Sequence, residues 1–272
     1  MSISTWPFDR LPDVEPDISG VAGDVWVCTP AFVGELSEVW PTERILSTDE
    51  QARADRRITE SGRRAVRESL LVRRLMLARA TGQNPAALRF GYGEFGRPEL
   101  RPNPWGIRFN MSHSRSLIAG LVTTGNRCCG IDIESTEPPP EVLLHAGRVF
   151  RPGERAELAG LDPAARSRRF VELWVLKEAY TKALGLGLRH RFDSFGFTLD
   201  AAGAITLADP AQSASEWDLR VTGPLCGHRL AVAVRRRADS LARYRLVVDA
   251  GADGNRDLTP PLAAAGPLQR FM

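Results

Sequence analysis

The sequence predicts an α+β protein in which helical and strand-rich segments follow one another along the chain. Helix signals occur between residues 47 and 82 and again between residues 162 and 185. A strand-rich stretch from 88 to 134 separates them, and two more alternating segments follow the second helical region. Strands grouped between helices in this way are typical of α+β folds.

The first helical region is predicted to contain two helices. STDE at 47–50 is a capping box, which opens a helix. A second helix runs from after Ser61 to Ala80, and Gly82 ends it because glycine readily adopts the left-handed conformation found after a helix. Upstream of both, DVWVCTPAF at 24–32 alternates in polarity like a strand.

The strand-rich stretch is predicted to form short antiparallel strands. Its first two strands are joined by a turn at Gly96 and Pro98, and three more follow as IRFNMSHS, SLIAGLVTT and RCCGIDIE. A tight turn at 125–126 links the last two of these three. Because the links are short, we expect an antiparallel meander.

The second helical region is dominated by one long helix. Asp162 is its predicted N-cap, Pro163 takes the first helical position, and Gly185 ends it. A shorter helix lies upstream within FRPGERAELAGL. Downstream, FDSFGFTL and HRLAVAVRR are predicted as returning strands.

The length and composition of the chain limit the class of protein to which it can belong. With 272 residues, 43% of them hydrophobic and 25% charged, the chain is expected to be a soluble globular protein with a substantial core. Its apolar runs fall short of the ~20 residues that span a bilayer, and its N-terminus lacks the regions of a secretory signal. We therefore expect a cytoplasmic protein without membrane association. The four cysteines form no C-x-x-C pair, which argues against a zinc site or a disulfide framework.

Positive charge is concentrated in one segment. The net charge is only +3, but residues 53–79 are crowded with arginines. Such a segment favours an anionic partner such as a phosphate, a nucleic acid or an acidic protein. A solvated helix face would look the same, so composition alone leaves both interpretations open.

The segment GIDIE at 130–134 raises a chemical question. On a strand, Ile131 and Ile133 share one face and Asp132 and Glu134 share the other, because side chains alternate. The two acids then lie about 6–7 Å apart along the strand, which lets both lean toward one small cation. Alone, this pattern more often marks a solvent-facing strand.

The long helix supplies partners for these acids. Trp174, Glu178 and Lys182 are spaced four residues apart and therefore share one face. If the helix packs beside the strand, Glu178 becomes a third carboxylate. Oxygen ligands without nearby histidine or cysteine suit Mg²⁺, which binds substrate phosphates. Lys182 would then neutralise phosphate oxygens.

Four motifs occur in a specific order: FNMSHS (109–114), GIDIE (130–134), FRPGE (150–154) and WVLKEAYTK (174–182). Together they resemble the motifs of the 4′-phosphopantetheinyl transferases, in particular the large monomeric Sfp-type enzymes. GRPEL at 96–100 and DSFGFTL at 193–199 resemble two further motifs of that family.

The resemblance implies the 4′-phosphopantetheinyl transferase fold, an α+β fold of two similar α/β halves related by a pseudo-twofold. The active site would lie between the halves. We assign residues 1–127 to the N-terminal half, 128–249 to the C-terminal half, and 250–272 to a disordered tail. Two halves in one chain favour a monomer.

The reaction implied by the resemblance is the Mg²⁺-dependent transfer of 4′-phosphopantetheine from coenzyme A to a serine of an apo acyl or peptidyl carrier protein, with release of 3′,5′-ADP. Carrier proteins are typically acidic, so we hypothesise that basic residues near the cleft dock them, with an affinity that weakens at high salt. No nucleic acid partner is expected. Whether the carrier serves fatty acid, polyketide or nonribosomal peptide synthesis stays open.

The motifs assign a role to each site residue. Asp132, Glu134 and Glu178 would bind Mg²⁺, and Glu178 would also help to deprotonate the serine. The catalytic set is Asp132, Glu178, Lys182 and His113. Contacts to coenzyme A are expected from Arg97, where the family usually has lysine, and from Ser112, His113, Lys177, Lys182 and the arginines Arg56, Arg57, Arg63 and Arg64. Glu154 and Trp174 also match motif positions.

Two other classes of function remain alternatives. A Mg²⁺-dependent nuclease could use an acidic pair on a strand together with a basic helix, and it would nick DNA without coenzyme A. A non-enzymatic module could use the basic helix to hold an acidic partner, and its binding would survive loss of the three acids.

Overall fold

The computed structural model describes residues 21–114, 117–139, 149–187, 190–200, 203–222, 224–236 and 243–249, with the backbone alone at 21–22 and 243–249. The helices are α1 (Pro30–Val39), α2 (Thr42–Ile45), α3 (Thr48–Asp55), α4 (Glu60–Thr81), α5 (Pro152–Ala159) and α6 (Pro163–Leu184). The strands are β1 (Val21–Cys28), β2 (Phe90–Tyr92), β3 (Pro98–Leu100), β4 (Arg108–Ser114), β5 (Leu117–Thr123), β6 (Cys129–Ser135), β7 (Gly196–Leu199), β8 (Ile205–Ala208), β9 (Trp217–Val221), β10 (His228–Arg235) and β11 (Arg243–Asp249). The α+β prediction is confirmed.

Most predicted helix ends are confirmed. Ser47 and Glu50 form the capping box of α3, each bonding the backbone of the other. Asp162 caps α6 by accepting hydrogen bonds from two backbone amides of its first turn. Gly82 and Gly185 follow α4 and α6 with φ angles of 68° and 73°, in the left-handed region that favours glycine.

The same succession of elements occurs twice. Each half begins with a strand, continues through helices to one of 22 residues, forms a two-stranded hairpin and ends with two more strands. The sheets repeat the same order, β1-β5-β4 in the first half and β6-β10-β9 in the second. This internal repeat confirms the prediction of two similar halves.

The elements pack in the order helix, sheet, sheet, helix. On one side, α4 covers the first sheet through contacts that include Met76 and Trp26. On the other, α6 covers the second sheet through residues such as Leu176. Between the sheets lies a core formed by apolar residues of both, among them Val25, Val27, Leu121, Ile131, Ile133, Leu230 and Val232.

The predicted three-stranded meander is wrong in its last strand. β4 and β5 pair antiparallel as expected, but β6 pairs instead with β10. The turn after β5 does form, with positive φ angles at Gly125 and Asn126. After this turn the chain leaves the first sheet, because Ile131 and Ile133 are buried between the two sheets. β6 therefore packs against the first sheet and does not extend it.

The last strand departs from the predicted division of the chain. β11 pairs in parallel with β1, in the sheet of the first half. Residues 243–249 therefore belong structurally to the N-terminal half, although we had assigned them to the C-terminal one. The predicted tail, 250–272, and the first 20 residues lie outside the described part of the chain. Among the residues that are described, no helix has the length and apolar character needed to cross a membrane.

The arginine-rich segment is not one solvated face. Arg73 and Arg74 are buried, and both form ion pairs with the buried carboxylate of Glu50. Arg74 also donates to the carbonyl oxygens of Pro85 and Leu88, at 2.5 and 3.2 Å. Burial alone would raise the pKa of Glu50, but the Ser47 amide and the two arginines outweigh it and lower that pKa. Part of the basic cluster thus holds α3 against α4.

We predict that Glu50→Gln lowers the free energy of unfolding by about 3–5 kcal/mol, because it leaves two buried arginines without a counter-charge. In the wild type the pKa of Glu50 is lower in the folded than in the unfolded state, where it is close to 4.5. Its contribution to stability is therefore complete above that pH and is lost as the pH falls through the folded-state pKa. Urea denaturation at neutral pH and at a series of acidic pH values measures both effects.

The matched control is Glu60→Gln, which removes an exposed carboxylate paired with Arg63 and Arg67. Exposed ion pairs contribute little, so its stability should stay within about 1 kcal/mol of the wild type. Equal losses in the two variants would contradict the assignment of Glu50 as the anchor of this cluster.

Candidate active site

Helix α6 lies unusually close to strand β6 because residue 130 has no side chain. A Cβ atom placed on Gly130 would come within 1.9 Å of the Ala179 carbonyl oxygen and 2.5 Å of the Ala183 nitrogen. No side chain fits at such distances without moving the helix. The close approach brings the face of α6 that carries Glu178 and Lys182 directly against the acids of β6.

Side chains of β4 reach across to β6, since each of these strands is at the edge of its own sheet. The Oδ1 atom of Asn110 accepts a hydrogen bond from the backbone N–H of Ile131, at 3.0 Å. The hydroxyl of Ser112 donates to Oδ1 of Asp132 at 2.8 Å, and that of Ser114 donates to Oε2 of Glu134 at 2.9 Å. Every second residue of β4 therefore bonds β6, which gives a physical reason for the F-N-x-S-H-S pattern.

Lys182 bonds three groups at this junction. Its Nζ atom lies 2.6 Å from Oδ1 of Asp132 and 3.2 Å from Oγ of Ser112. The third acceptor is the Ile131 carbonyl oxygen, at 3.3 Å. These contacts place the ammonium group between the two halves, with 28% of the side chain still exposed to solvent.

A cleft of about 320 Å³ opens at this junction. It is lined by residues of β4, β6 and α6, namely Met111, Ser112, His113, Asp132, Glu134, Trp174, Glu178 and Lys182. His113 is exposed and lies on β4, whereas Asp132 is buried. Trp174 is held by stacking on Phe170, with ring centroids 6.0 Å apart. The structure thus brings together the predicted acids, the lysine and the serine–histidine pair.

The surroundings of the three cleft carboxyl groups favour their neutral, protonated forms over their charged forms. Burial raises the pKa of Asp132, and the ion pair with Lys182 offsets only part of this effect. Burial and then the charge of Asp132 raise the pKa of Glu134. Burial followed by the charge of Asp132 also raises the pKa of Glu178. A cation in this cleft would relieve the repulsion among the three carboxylates.

The residues of the cleft fit a hard cation such as Mg²⁺. The Oδ2 atom of Asp132 is buried and has no hydrogen-bond partner among the residues that the structure describes. Glu178 forms no hydrogen bond or ion pair with other described residues. In that same part of the chain, no group of three or more His, Cys, Asp or Glu side chains is arranged to hold a metal ion by itself. The carboxylate oxygens that line the cleft are nevertheless the type of ligand that Mg²⁺ takes, usually one or two per ion with water or substrate phosphates as the others.

Comparison with known proteins identifies the family. A family model described as the 4′-phosphopantetheinyl transferase superfamily matches residues 128–234. The 4′-phosphopantetheinyl transferase HetI of Nostoc sp. is 33% identical over 193 residues, which cover 70% of this chain and 78% of that protein. The chain belongs to this superfamily.

Other members are similar over a shorter region. A putative 4′-phosphopantetheinyl transferase of Synechocystis sp. is 35% identical over 166 residues, and the 4′-phosphopantetheinyl transferase Sfp of Bacillus subtilis is 30% identical over 151. Each alignment covers 56% of this chain and 65% of the relative, so the chain spans less than two thirds of their length. Among solved structures, the holo-[acyl-carrier-protein] synthase of Thermotoga maritima matches 41% of this chain and 65% of its own, with 24% identity and a TM-score of 0.34.

One lysine of the phosphopantetheinyl transferase helix motif does not face the cleft. Lys177 is fully buried and pairs with Oε2 of Glu154 at 2.9 Å. It also donates to the carbonyl oxygens of Phe192 and Phe195, at 2.8 and 2.7 Å. The prediction that Lys177 contacts coenzyme A is therefore corrected. Burial lowers its pKa to about 8, although the Glu154 charge opposes the shift.

Glu154 completes this buried arrangement. Its Oε1 atom accepts a hydrogen bond from the Phe197 amide at 2.9 Å, and its Oε2 atom accepts one from the Arg151 amide at 2.9 Å. It therefore links α5, α6 and β7. Two motif positions, Glu154 and Lys177, form a structural ion pair and do not line the cleft.

The arginines predicted to bind coenzyme A also lie elsewhere. The guanidinium of Arg97 donates to three backbone carbonyl oxygens, which commits it to the protein itself. Arg63 pairs with Glu60, and Arg64 pairs with Glu68. Neither of them lines the cleft, and the exposed Arg56 and Arg57 do not line it either. Their proposed contact with a nucleotide 3′-phosphate stays a prediction.

Sequence reasoning missed two positioning residues. Asn110 lies within the FNMSHS motif, but nothing in the spacing of that motif indicates that it bonds β6 directly. Gly130 begins the GIDIE motif, and the contact with helix α6 that requires a glycine there is visible only in the folded protein. A further signal was present, since the only lysines in the 272 residues are Lys177 and Lys182, both on α6. In a chain that otherwise uses arginine, this marks two places where a compact point charge is needed.

We predict that Lys177→Met lowers the free energy of unfolding by about 3–5 kcal/mol, because it leaves the buried carboxylate of Glu154 without its partner. The cleft should be unaffected, since Lys177 does not line it. Chemical denaturation measures the first effect, and calorimetric titration of the folded variant with coenzyme A and Mg²⁺ measures the second. A stable variant with weakened binding of coenzyme A would restore the original assignment.

We predict that Glu178→Gln raises the free energy of unfolding at neutral pH by about 0.5–2 kcal/mol, as other substitutions that relieve functional strain do. The pKa of Glu178 is raised in the folded state, so its ionised form costs stability at neutral pH and the wild type regains that stability as the pH falls through this pKa. Thermal unfolding without added metal provides the measurement. A clear loss of stability on this substitution would show that the carboxylate has a structural partner.

Proposed function

We propose that this chain transfers the 4′-phosphopantetheine group from coenzyme A to a serine of an acyl or peptidyl carrier protein. The observation that carries the proposal is the cleft that Asp132, Glu134 and Glu178 line together with Lys182. Its position at the junction of two similar halves agrees with the fold of the family. The names of the relatives support the same activity.

Asp132, Glu134 and Glu178 would hold a divalent cation, with the unpartnered Oδ2 atom of Asp132 as the first ligand. A bound Mg²⁺ would supply positive charge to the pyrophosphate of coenzyme A. Lys182, now paired with Asp132, would turn its ammonium group toward phosphate oxygens. Ser112 and His113 lie on the same wall and can donate hydrogen bonds to those oxygens.

The step itself is a phosphoryl transfer. The serine hydroxyl oxygen of the carrier forms a bond to the phosphorus that bears the pantetheine arm, and the bond from that phosphorus to the bridging oxygen breaks. The leaving group is 3′,5′-ADP, and the serine proton passes to a base. Glu178 can take this role because its carboxylate lines the cleft and forms no hydrogen bond with other described residues. No enzyme nucleophile is needed, since positioning and electrostatics supply most of the rate in such reactions.

The carrier is proposed to be acidic. Exposed arginines around the end of α3 and the start of α4, including Arg56, Arg57 and Arg64, give this side of the first half a positive charge. Opposite charge speeds encounter and fixes orientation.

The experiment is intact mass spectrometry of an apo carrier protein incubated with the enzyme, coenzyme A and Mg²⁺. We expect the carrier to gain one phosphopantetheine unit, and we expect EDTA to abolish the gain. Asp132→Asn and Glu178→Gln should each lower the rate by at least about a hundredfold, as loss of a metal ligand or its partner does. Glu216→Gln, a half-exposed glutamate paired with Arg235, is the matched control and should be unaffected.

Each contrary outcome favours a specific alternative. No mass gain across several unrelated carriers, with a folded protein, would overturn the proposal. Mg²⁺-dependent nicking of DNA without coenzyme A would favour a nuclease. Binding of an acidic partner that survives both substitutions, without turnover, would favour a non-enzymatic module.

A further inference from the structure

Arg97 occupies the point at which three elements of the cleft meet. Its Nη1 atom donates to the carbonyl oxygen of Lys182 at 2.7 Å. Its Nη2 atom donates to the carbonyl oxygens of Phe109 and Cys129, at 2.9 and 2.8 Å. The residue itself comes just before β3, outside all three elements.

Each of the three carbonyls belongs to an element that carries groups of the proposed site. Phe109 is on β4, which carries Ser112 and His113. Cys129 begins β6, which carries Asp132 and Glu134. The third carbonyl is that of Lys182 itself, in the last turn of α6. One side chain from a separate hairpin thus joins the backbones of all three.

Each of these three backbone carbonyls lies where the secondary structure leaves it able to accept a hydrogen bond from a side chain. The last four carbonyls of a helix lack the usual partner one turn on; that of Lys182 accepts a cap hydrogen bond from the Gly185 N–H at 3.2 Å, and its oxygen can accept a second one. β4 and β6 are edge strands, whose outer backbone groups have no neighbouring strand to pair with. A donor that bridges them fixes the end of the helix and the two strand edges at one point.

We propose that Arg97 is a positioning residue that holds Lys182 at the cleft by joining the backbones of α6, β4 and β6. The inference rests on the proposed function, because its consequence is a rate of transfer. It replaces the expectation from sequence that Arg97 binds a phosphate of coenzyme A. Arg97 acts through Lys182, whose Nζ atom lies 2.6 Å from the Asp132 carboxylate.

The family usually has lysine at this position, but in this chain the guanidinium of Arg97 bonds carbonyls of three separate elements, and one lysine nitrogen would not reach all three in this arrangement. Arginine presents five N–H donors in a rigid planar fork, so its two terminal nitrogens can reach separate acceptors at once. Lysine has a single nitrogen on a flexible stem. At this position a lysine would keep the charge but could not bridge carbonyls on opposite sides of the fork. A phosphate contact would tolerate the exchange, whereas a three-way backbone clamp would not.

The test compares Arg97→Lys and Arg97→Met with the wild type in the carrier modification assay. We expect both variants to bind coenzyme A with a KM within about twofold of the wild type while kcat falls by about tenfold or more, since small displacements of positioned groups are costly. The matched control is Arg89→Lys, because Arg89 also donates to three backbone carbonyls but at a site away from the cleft. Its kcat should equal that of the wild type.

A double-mutant cycle with Lys182→Met separates positioning from general structure. If Arg97 acts through Lys182, Arg97→Lys should cause no further fall in kcat when Lys182 is already absent. Long incubations followed by intact mass measure such slow rates. Thermal unfolding of each variant reports its folded fraction, and kcat is expressed per folded molecule.

Two outcomes would overturn the inference in an active wild type. The first is full activity in Arg97→Lys with a raised KM in Arg97→Met, which marks a phosphate contact. The second is an equal fall in kcat with and without Lys182, which marks a role independent of that lysine. Absence of transfer by the wild type itself would overturn the proposed function and this inference with it.

Discussion

The contact between Gly130 and helix α6 is the constraint on which the geometry of the cleft depends. A strand and a helix normally keep a layer of side chains between their backbones. Here the strand offers only a hydrogen atom at the point where the Ala179 carbonyl would otherwise lie 1.9 Å from a Cβ. Helix α6 can therefore pack close enough to β6 for Glu178 and Lys182 to lie beside the acids of that strand. A larger residue at position 130 would push helix α6 away from β6, and so would move Glu178 and Lys182 away from Asp132 and Glu134.

Buried charge is used in two opposite ways in this molecule. Glu50 and Glu154 each meet cationic partners and backbone donors, so their burial fixes helices in place. Asp132 and Glu178 are different. Among the described residues, Oδ2 of Asp132 has no hydrogen-bond partner, and neither oxygen of the Glu178 carboxylate has one. The first kind of site stabilises the fold. The second kind leaves polar groups available for a ligand, at a cost to stability.

The sequence was a good guide where local chemistry decides the outcome. Helix ends followed from capping residues such as Asp162 and Gly185, and the cleft acids followed from strand and helix periodicity. It failed where the outcome depends on partners far away in the chain. The pairing of β6 with β10, the burial of Lys177 and the backbone contacts of Arg97 all join segments that lie far apart in the sequence. Helical spacing does place Lys182, and not Lys177, on the face of Trp174 and Glu178, but it cannot show that Lys177 pairs with Glu154 in the core.

The pairing of β11 with β1 has a consequence for how the protein is made. The sheet of the first half includes a strand that is synthesised only after the entire second half. While the ribosome is still adding residues up to 243, β1 lacks the strand with which it pairs in the finished protein. The second half, whose sheet is contiguous in the chain from β6 to β10, can therefore close first. The N-terminal half, although it emerges earlier, is completed last.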